Sequence, residues 1–354
     1  MVELLSPAGN LIALRAALEN GADSVYIGLE DNNMRTNVSN FTLEDVKKAS
    51  KIAKDYSSKL YLCTNTIMKE QDIKDLQNNL EKLKESEIDA LIIADIGLAE
   101  IAKSVGIEAH MSVQENISNS YALKTLKKIG VSRAILSREL NIEEISEIAK
   151  IGKKSSIETE IFIHGAMCMA ISGRCFLSYG LYGKSANCGE CLQPCRKQWK
   201  IAISQDKSSH FYGEDNDSSF LLGKAEDNTY KSNFISPNDM AMIEHIPELM
   251  ETGVDAFKIE GRARSPDYVA TTTKIYRESI DSYQTDPNTY KFNPQWLEEL
   301  KKVFNRGFDT GFYFNQPYKI SKDNQSKFIK KDIARVVNYY NKVNVAELQL
   351  WDEI

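Results

Sequence analysis

Short apolar runs alternate with longer amphipathic stretches through the first 285 residues of the chain. Seven runs have the length and apolar content of strands, and they cover residues 2–5, 24–29, 59–65, 89–94, 108–113, 132–137 and 158–164. Between them, apolar residues recur at helical spacing near residues 11–19, 43–55, 69–86, 96–105, 118–128 and 141–152. Because runs such as 91–93 and 161–163 are apolar on both faces, the pattern predicts parallel strands covered by helices.

Two further strand candidates follow the seventh run, at 233–236 and 255–261, and each precedes a predicted helix, 238–251 or 266–283. An eight-stranded barrel needs only one of them, so we take 255–261 as the closing strand and 233–236 as a short lead-in. The predicted fold class is therefore α/β, a (β/α)8 TIM-type barrel over residues 1–285. An open doubly wound sheet is the alternative, but no glycine-rich nucleotide fingerprint follows the first strand.

A long cysteine-rich insertion, residues 164–233, separates the seventh strand from the closing strand. Within it we predict a hairpin of 199–204 with 220–223, which encloses a polar loop at 208–219. Loops that follow the carboxyl ends of strands build the active sites of (β/α)8 barrels. The insertion is therefore expected at the chemically active face.

The C-terminal part, residues 286–354, is more polar than the barrel. It is predicted to contain a helix at 294–305 and a hairpin of 332–338 with 342–350. A lone hairpin is marginal in water. This short β extension is therefore expected either to pack on the barrel or to be a partial β-domain cut short.

Composition and charge restrict the function classes. The 354 residues are 42% hydrophobic, which excludes global disorder, and no apolar run is long enough to cross a membrane. The N-terminus lacks the basic and apolar order of a secretion signal, so a cytoplasmic protein is expected.

A net charge of −6 argues against general adhesion to nucleic acid but leaves room for a confined basic patch. Two tyrosines, Tyr339 and Tyr340, could stack on a base beside such a patch. Its candidate members are Lys197, Lys200, Arg262, Arg264, Lys301, Lys302, Arg306, Lys327, Lys330, Lys331 and Arg335.

Five of the six cysteines lie between residues 168 and 195, namely Cys168, Cys175, Cys188, Cys191 and Cys195. In a reducing cytoplasm such clustering favours a metal site over disulfides. The uneven separations suit an irregular loop around an iron–sulfur cluster better than the paired knuckles of a zinc ribbon, although structural zinc and unliganded thiols stay open. Cys188 could replace one of four ligands or be a bystander, and Cys63 is expected to be a small buried hydrophobe.

Titratable side chains surround the cysteines where the barrel mouth is predicted, namely Glu160, His164, Arg174, Glu190, Arg196 and Lys197. A carboxylate at a strand end, such as Glu160, needs a partner when it points into a barrel. His164 either takes part in the chemistry or caps the strand exit. We name Glu160, His164 and Glu260 as candidate catalytic residues.

Several segments together resemble the signature sequences of peptidase family U32, namely 3–9, 160–178, 187–196, 234–239, 257–262 and 303–308. The better-supported members of that family are oxygen-independent hydroxylases with an iron–sulfur cluster. One branch takes part in prephenate-dependent 5-hydroxylation of the wobble uridine of tRNA, another hydroxylates a cytidine of ribosomal RNA, and a third hydroxylates ubiquinone. This chain resembles the tRNA branch most.

The resemblance implies a 4Fe-4S cluster in the insertion, with ligands at Cys168, Cys175, Cys191 and Cys195, and with prephenate as co-substrate. It implies tRNA as a partner, and an electron-donor protein is a further expected partner. An anionic co-substrate needs cations at the barrel mouth, for which Arg174, Lys258 and Arg262 are the candidates.

Three other functions stay open at this point: a U32-type, collagenase-like protease, a ribosomal RNA or ubiquinone hydroxylase, and a zinc-stabilised scaffold without catalysis. The sequence contains neither a Gly-x-Ser-x-Gly elbow nor a His-Glu-x-x-His motif. A cysteine protease could pair Cys168 with His164, but that pairing would use an expected cluster ligand.

Overall fold

The structure is a computed structural model that describes residues 2–29, 34, 40–203, 209–213, 219–221, 230–233, 235–316, 319–321, 324–327, 334–340 and 345–350. The strands in these ranges are β1 (Glu3–Pro7), β2 (Ser24–Gly28), β3 (Lys59–Thr64), β4 (Ala90–Ile93), β5 (Glu108–Met111), β6 (Val131–Ile135), β7 (Glu158–Gly165), β8 (Trp199–Ile203), β9 (Ser209–Gly213), β10 (Ser219–Leu221), β11 (Tyr230–Ser232), β12 (Asp239–Ala241), β13 (Ala256–Ile259), β14 (Phe308–Asp309), β15 (Ala334–Tyr340) and β16 (Val345–Leu350). The α-helices are α1 (Leu11–Glu19), α2 (Leu43–Asp55), α3 (Glu70–Glu85), α4 (Ile96–Val105), α5 (Ser120–Lys128), α6 (Ile142–Lys154), α7 (Leu177–Tyr182), α8 (Ile246–Glu251), α9 (Pro266–Thr285) and α10 (Pro294–Leu300).

Eight parallel strands close into a barrel. Strands β1 to β7 pair in chain order, and β13 pairs with both β7 and β1. Helices α1 to α6 lie between successive barrel strands along the chain. The prediction of a (β/α)8 barrel is confirmed, and the closing strand falls inside the predicted 255–261.

The core lies on both faces of the barrel strands. Leu4 and Leu5 are neighbours in β1 and both are fully buried, as are Ile92 and Ile93 in β4. Because neighbouring side chains point to opposite faces of a strand, one of each pair fills the barrel interior and the other packs under the helices.

Side-chain caps fix the starts of several helices. Asn10 begins α1 and accepts a hydrogen bond from the Ala13 backbone, while Thr42 begins α2 in a reciprocal capping box with Asp45. Each cap satisfies a backbone donor that the first helical turn leaves unpaired. Helix α2 therefore begins at residue 43, as predicted.

The segment before the closing strand differs from its prediction. Residues 239–241, predicted as helix, form β12, which pairs antiparallel with the end of β7 and parallel with β14. Helix α8 begins only at Ile246 and carries Pro247 in its first turn. A helix from residue 238 would have placed that proline in the helix interior, where it lacks an N–H and obstructs the preceding turn.

The insertion holds a four-stranded antiparallel sheet in the order β10, β9, β8, β11. The predicted hairpin of 199–204 with 220–223 is wrong, because β8 pairs with β9 and β11 while β10 pairs with β9. Strand β9 lies inside the predicted polar loop. Its Phe211 and Tyr212 have the high strand propensity that the surrounding polar residues concealed.

The residues after α9 lie against the barrel. The Tyr313 hydroxyl donates to the Phe162 carbonyl oxygen in β7 at 2.5 Å, and β14 pairs with β12. Strands β15 and β16 pair antiparallel, as the predicted C-terminal hairpin requires. The division of the chain at residue 285 and the shortening of the β-domain stay predictions. In the described ranges no helix has the length and apolarity needed to cross a bilayer.

Candidate active site

A cavity of about 110 Å³ opens at the carboxyl ends of the barrel strands. Its walls come from residues that directly follow or end different strands, such as Asn65 after β3, Ser112 after β5 and Glu260 after β13. Cys168, the first cysteine of the insertion, is also part of its lining. We call this space the mouth cavity.

Three cationic side chains line the mouth cavity: Arg138, Lys258 and Arg262. Arg138 is 6% exposed and Arg262 is 7% exposed. In the described part of the chain, Nε and Nη2 of Arg138 and Nη1 of Arg262 are buried without a hydrogen-bond partner. Buried donors of this kind are costly unless a ligand or water accepts from them, so the cavity favours an anion.

Aromatic rings complete the walls around these cations. The Arg138 guanidinium carbon lies 4.0 Å from the Phe162 ring centroid, and Lys258 Nζ lies 4.5 Å from the Tyr26 ring centroid. Arg138 Nη1 also donates to the Ala166 carbonyl oxygen at 2.7 Å, which fixes the guanidinium. The cavity thus combines held positive charge with flat apolar walls.

The three predicted anion-binding residues do not all line the same cavity. Lys258 and Arg262 line the mouth cavity, whereas Arg174 lines a neighbouring cavity of about 120 Å³ together with Glu115 and Asn187. Arg138 was missed by the sequence reasoning. The sequence feature that could have identified Arg138 is its position a few residues after β6, where charged side chains of a barrel reach the mouth.

Glu160 lies below the mouth cavity and is fully buried. Its Oε1 accepts from Lys258 Nζ at 2.8 Å, and its Oε2 accepts from Arg133 Nη1 at 3.2 Å. The carboxylate therefore has the partners that its burial requires, and it holds the Lys258 ammonium in place. The catalytic role predicted for Glu160 stays a prediction.

Arg133 connects Glu160 to the opposite end of the barrel. Its Nη2 lies 2.8 Å from Glu3 Oε2 and 2.6 Å from Glu158 Oε2, and the Tyr61 hydroxyl donates to Glu3 Oε1 at 2.9 Å. Burial alone would raise the pKa of Glu3, but the hydrogen bonds and charge of Arg133 outweigh it and lower that pKa to about 2. We call Glu3, Arg133, Glu158, Glu160 and Lys258 the interior ion network.

His164 packs away from the mouth cavity. The β7–β13 register shifts so that Ile259 pairs with His164, and the imidazole lies among the rings of Tyr268, Tyr276 and Phe308. Burial lowers the pKa of His164 to about 3, and its Nδ1 lies 3.3 Å from the Tyr276 hydroxyl. The ring is therefore neutral near pH 7, and its predicted catalytic role stays a prediction.

Glu260 is the predicted catalytic residue that does line the mouth cavity. Its Oε2 accepts from the Ala166 backbone N–H at 3.4 Å. Gly165 makes this approach possible: its φ is +111°, and a Cβ there would lie 2.5 Å from the Glu260 carbonyl oxygen. Only glycine fits where the chain leaves β7 for the insertion.

Cys195 lies near three other thiols of the insertion. Burial raises the pKa of Cys195 to about 11; Arg196 opposes this shift, while Cys168, Cys191 and Cys175 add to it. The Gln193 backbone N–H donates to Cys191 Sγ at 3.4 Å. Within the described ranges, no group of three or more His, Cys, Asp or Glu side chains is arranged to hold a metal ion.

Arg196 fastens the end of the cysteine loop to the barrel. Its Nη1 donates to Ser236 Oγ at 2.9 Å and to the Pro237 carbonyl oxygen, and its Nη2 donates to the Met167 carbonyl oxygen. Arg196 therefore joins both ends of the insertion rather than standing as solvated charge. Cys63 is buried in β3, as predicted.

Four of the eleven members of the predicted basic patch pair with carboxylates, namely Lys301, Lys302, Arg306 and Lys327. Lys301 and Lys327 both contact Glu298, and Arg306 Nη1 lies 3.1 Å from Asp239 Oδ1. Lys330, Lys331 and the Lys200 side chain lie outside the described residues. Tyr339 and Tyr340 are half-exposed in β15.

The chain is similar to several known proteins along nearly its whole length. An uncharacterised protease of Methanocaldococcus jannaschii is 46% identical, covering 100% of this chain and 84% of that protein. A tRNA hydroxylation protein P1 of Bacillus subtilis is 36% identical over 98% of this chain and 80% of its own length. A collagenase of Porphyromonas gingivalis is 35% identical over 98% of this chain and 83% of its own length. The sequence profile of peptidase family U32 matches residues 9–323, and the chain therefore belongs to that family.

Proposed function

We propose that this protein is a tRNA-modifying enzyme that hydroxylates C5 of the wobble uridine without molecular oxygen, with a 4Fe-4S cluster and prephenate as co-substrate. The observation that carries the proposal is the mouth cavity, where buried, unpaired guanidinium donors face aromatic walls beside Cys168. Relatives that are named tRNA hydroxylation proteins support the same reaction class.

Replacing a C5–H bond by C5–OH is a two-electron oxidation that also needs a source of oxygen. Protein side chains supply neither, so a redox centre and a small-molecule co-substrate are required. Prephenate carries two carboxylates, one on its six-membered ring and one on the pyruvyl side chain of that ring. Arg138 and Arg262 can bind the carboxylates, and the rings of Tyr26 and Phe162 can pack against the body of the molecule.

Four cysteines would hold the cluster: Cys168, Cys175, Cys191 and Cys195. The N–H donated to Cys191 Sγ fits the hydrogen-bonded sulfur ligands of such clusters. When bound, the cluster would supply one-electron transfer at the rim of the mouth cavity. Cys188 stays a possible substitute for one of the four.

The remaining residues of the site would bind and orient the ligand in the mouth cavity. Glu160 fixes the Lys258 ammonium below the ligand, and Glu260 presents a carboxylate at the cavity wall. Glu260 is therefore the group placed to take or return a proton from a bound ligand. We expect the cytoplasm as the location, because tRNA and prephenate are found there.

The proposed reaction is tested by deleting the gene in its host and measuring modified nucleosides of total tRNA by mass spectrometry. We expect 5-hydroxyuridine and its derivatives to disappear and to return when the wild-type gene is supplied. Unchanged tRNA, with loss of a hydroxylated cytidine in ribosomal RNA or of hydroxylated ubiquinone instead, would move the function to another branch of the family.

The co-substrate site is tested by Arg138→Gln and Arg262→Gln. Each removes a charged donor from the mouth cavity, and we expect the KM for prephenate to rise about 10-fold to 100-fold while tRNA affinity is kept. Arg174→Gln is the matched control, since Arg174 lines the neighbouring cavity. Equal KM values for all three variants would place the anion elsewhere.

Proteolysis is the second candidate, because two relatives are named protease and collagenase. The geometry gives it little support. His164 is buried among aromatic rings with a pKa of about 3, so it is poorly placed to activate the exposed Cys168 thiol. Hydrolysis of gelatin by the purified protein, lost in Cys168→Ser, would restore this candidate.

A further inference from the structure

A second cavity, of about 140 Å³, shares Cys168 with the mouth cavity. It is formed by the start of the cysteine loop at 167–171, by Pro237 and Asn238 before β12, and by the residues around Gly311 after β14. Cys168 lines both cavities. We call this second space the side cavity.

The two cavities differ in charge. Three cations line the mouth cavity, whereas the described residues that line the side cavity include two carboxylates, Glu139 and Asp309, and no lysine or arginine. A site of that composition repels an anion and accepts N–H groups from a neutral ligand. The side cavity therefore suits a different molecule from the mouth cavity.

Asn238 supplies an unused acceptor in the side cavity. The residue is 8% exposed, and its Oδ1 is buried with no hydrogen-bond partner in the part of the chain that the structure describes. Its Nδ2 faces the Phe308 carbonyl oxygen at 3.4 Å, which assigns the remaining amide atom as oxygen. A buried acceptor without a donor is costly, so a ligand N–H directed at Asn238 is favoured.

Apolar side chains form the other walls: Met167, Met169, Ile171 and Phe312. Met169, Ile171 and Phe312 are partly exposed, so the cavity opens to solvent at its rim. Thioether and aromatic groups pack well against a flat ring. An open rim lets such a ring enter while it is attached to a much larger molecule.

We propose that the side cavity receives the target base of the RNA, a uracil turned out of its stack, whose N3–H donates to Asn238 Oδ1. Uracil has one N–H on its Watson–Crick edge, and Asn238 Oδ1 is an acceptor that it can meet. Cytosine lacks an N3–H, but its N4 amine could donate to the same oxygen, so the choice of uracil follows from the proposed function. This inference rests on the proposed function, and it places the base and the anionic co-substrate in two cavities that share Cys168.

The first test is photocrosslinking of the full-length protein to a tRNA anticodon stem-loop that carries 5-bromouridine at the wobble position. The adduct is mapped by mass spectrometry of the digested protein. We expect it on residues 167–171 or 309–312. Adducts on residues that line only the mouth cavity, such as Ser112, Gln114 or Arg262, would overturn the inference.

The second test measures stem-loop affinity for Asn238→Ala. We expect the uridine RNA to bind about fivefold more weakly, as one lost hydrogen bond implies, and the RNA with an abasic wobble position to be unaffected. Asn233→Ala is the matched control, since Asn233 is also buried with an unpaired Oδ1 but does not line the side cavity. Equal weakening of both RNAs by Asn238→Ala would mean that the residue is only structural.

Met169→Trp is a further variant that does not rely on a buried polar group. Met169 is partly exposed, so a larger side chain can be accommodated while it fills the cavity. We expect loss of the crosslink and unchanged prephenate binding. If the stem-loop binds no variant and not even the wild type, and tRNA nucleosides are normal in the deletion strain, the proposed function itself fails. If tRNA is hydroxylated but Met169→Trp crosslinks normally, only the side-cavity inference fails.

Discussion

Replacing Cys195 by serine is expected to remove the iron from the protein and to abolish hydroxylation. The Cys195 thiol is largely buried, and the neighbouring Cys168, Cys191 and Cys175 thiols add to the rise of its pKa. A thiolate ligand of a 4Fe-4S cluster is not replaced well by a hydroxyl, which is a harder and more weakly acidic donor. Anaerobic purification with iron and sulfide determination should give about four of each per wild-type chain and almost none in the variant.

Two other cysteines make this experiment decisive. Cys63→Ser is the control, because Cys63 is buried in β3 as part of the core, and we expect its iron content to be unchanged. The iron content of Cys188→Ser shows whether Cys188 is a cluster ligand: loss of iron would make it a ligand, and unchanged iron would make it a bystander. Iron that survives Cys195→Ser but not Cys188→Ser would contradict the ligand set. Stoichiometric zinc without iron in the wild type would contradict the cluster itself.

Arg133→Met is expected to destabilise the protein by about 3 to 5 kcal/mol, the cost of breaking a buried ion pair. Arg133 is 2% exposed and contacts Glu3, Glu158 and Glu160, so its loss removes the guanidinium from Glu3 and leaves Lys258 as the cation that pairs with the buried Glu160. The free energy of unfolding is measured from chemical denaturation followed by circular dichroism.

The matched control for Arg133→Met is Lys54→Met. Lys54 pairs with Glu87 at the surface, where both side chains are at least half exposed, so the change should cost less than about 1 kcal/mol. Arg133→Lys keeps the charge but loses the bidentate contact, and it should fall between the two. Similar losses for Arg133→Met and Lys54→Met would show that the interior ion network adds little stability.

The same network predicts a pH dependence. The pKa of Glu3 is about 2 in the folded protein and 4.5 in its ordinary state, so folding favours the ionised form. The stabilisation is complete above about pH 4.5 and is lost as the pH falls towards 2. Arg133→Met should flatten that part of the stability profile.

The order of the barrel elements could be predicted because each strand and helix carries its own local pattern. Caps such as Thr42 before α2 even fix the residue at which a helix begins. Strand β12 could not be predicted in this way, since it depends on pairing with β7 and β14, which are distant in sequence. The position of Pro247 was the one local sign against a helix from residue 238.

The site was predictable in its chemistry more than in its geometry. Lys258 and Arg262 follow from their place at the closing strand, and both line the mouth cavity. The strand pattern alone could not show that an irregular β7–β13 pairing accompanies the packing of the His164 side chain among aromatic rings. Nor could it show that Glu298 forms ion pairs with Lys301 and Lys327. Such outcomes depend on three-dimensional neighbours that a single sequence does not reveal.

The direct pairing of β13 with both β1 and β7 has a consequence for how the protein matures in the cell. In the described residues, the barrel closes through strand pairing that includes none of the five cysteines of the insertion. Folding of the barrel and delivery of iron can therefore be successive events, unlike in small metal domains that are unfolded without their ion. A folded, colourless precursor that accepts iron and sulfide afterwards is the form in which newly synthesised chains are expected to accumulate when cluster supply is limiting.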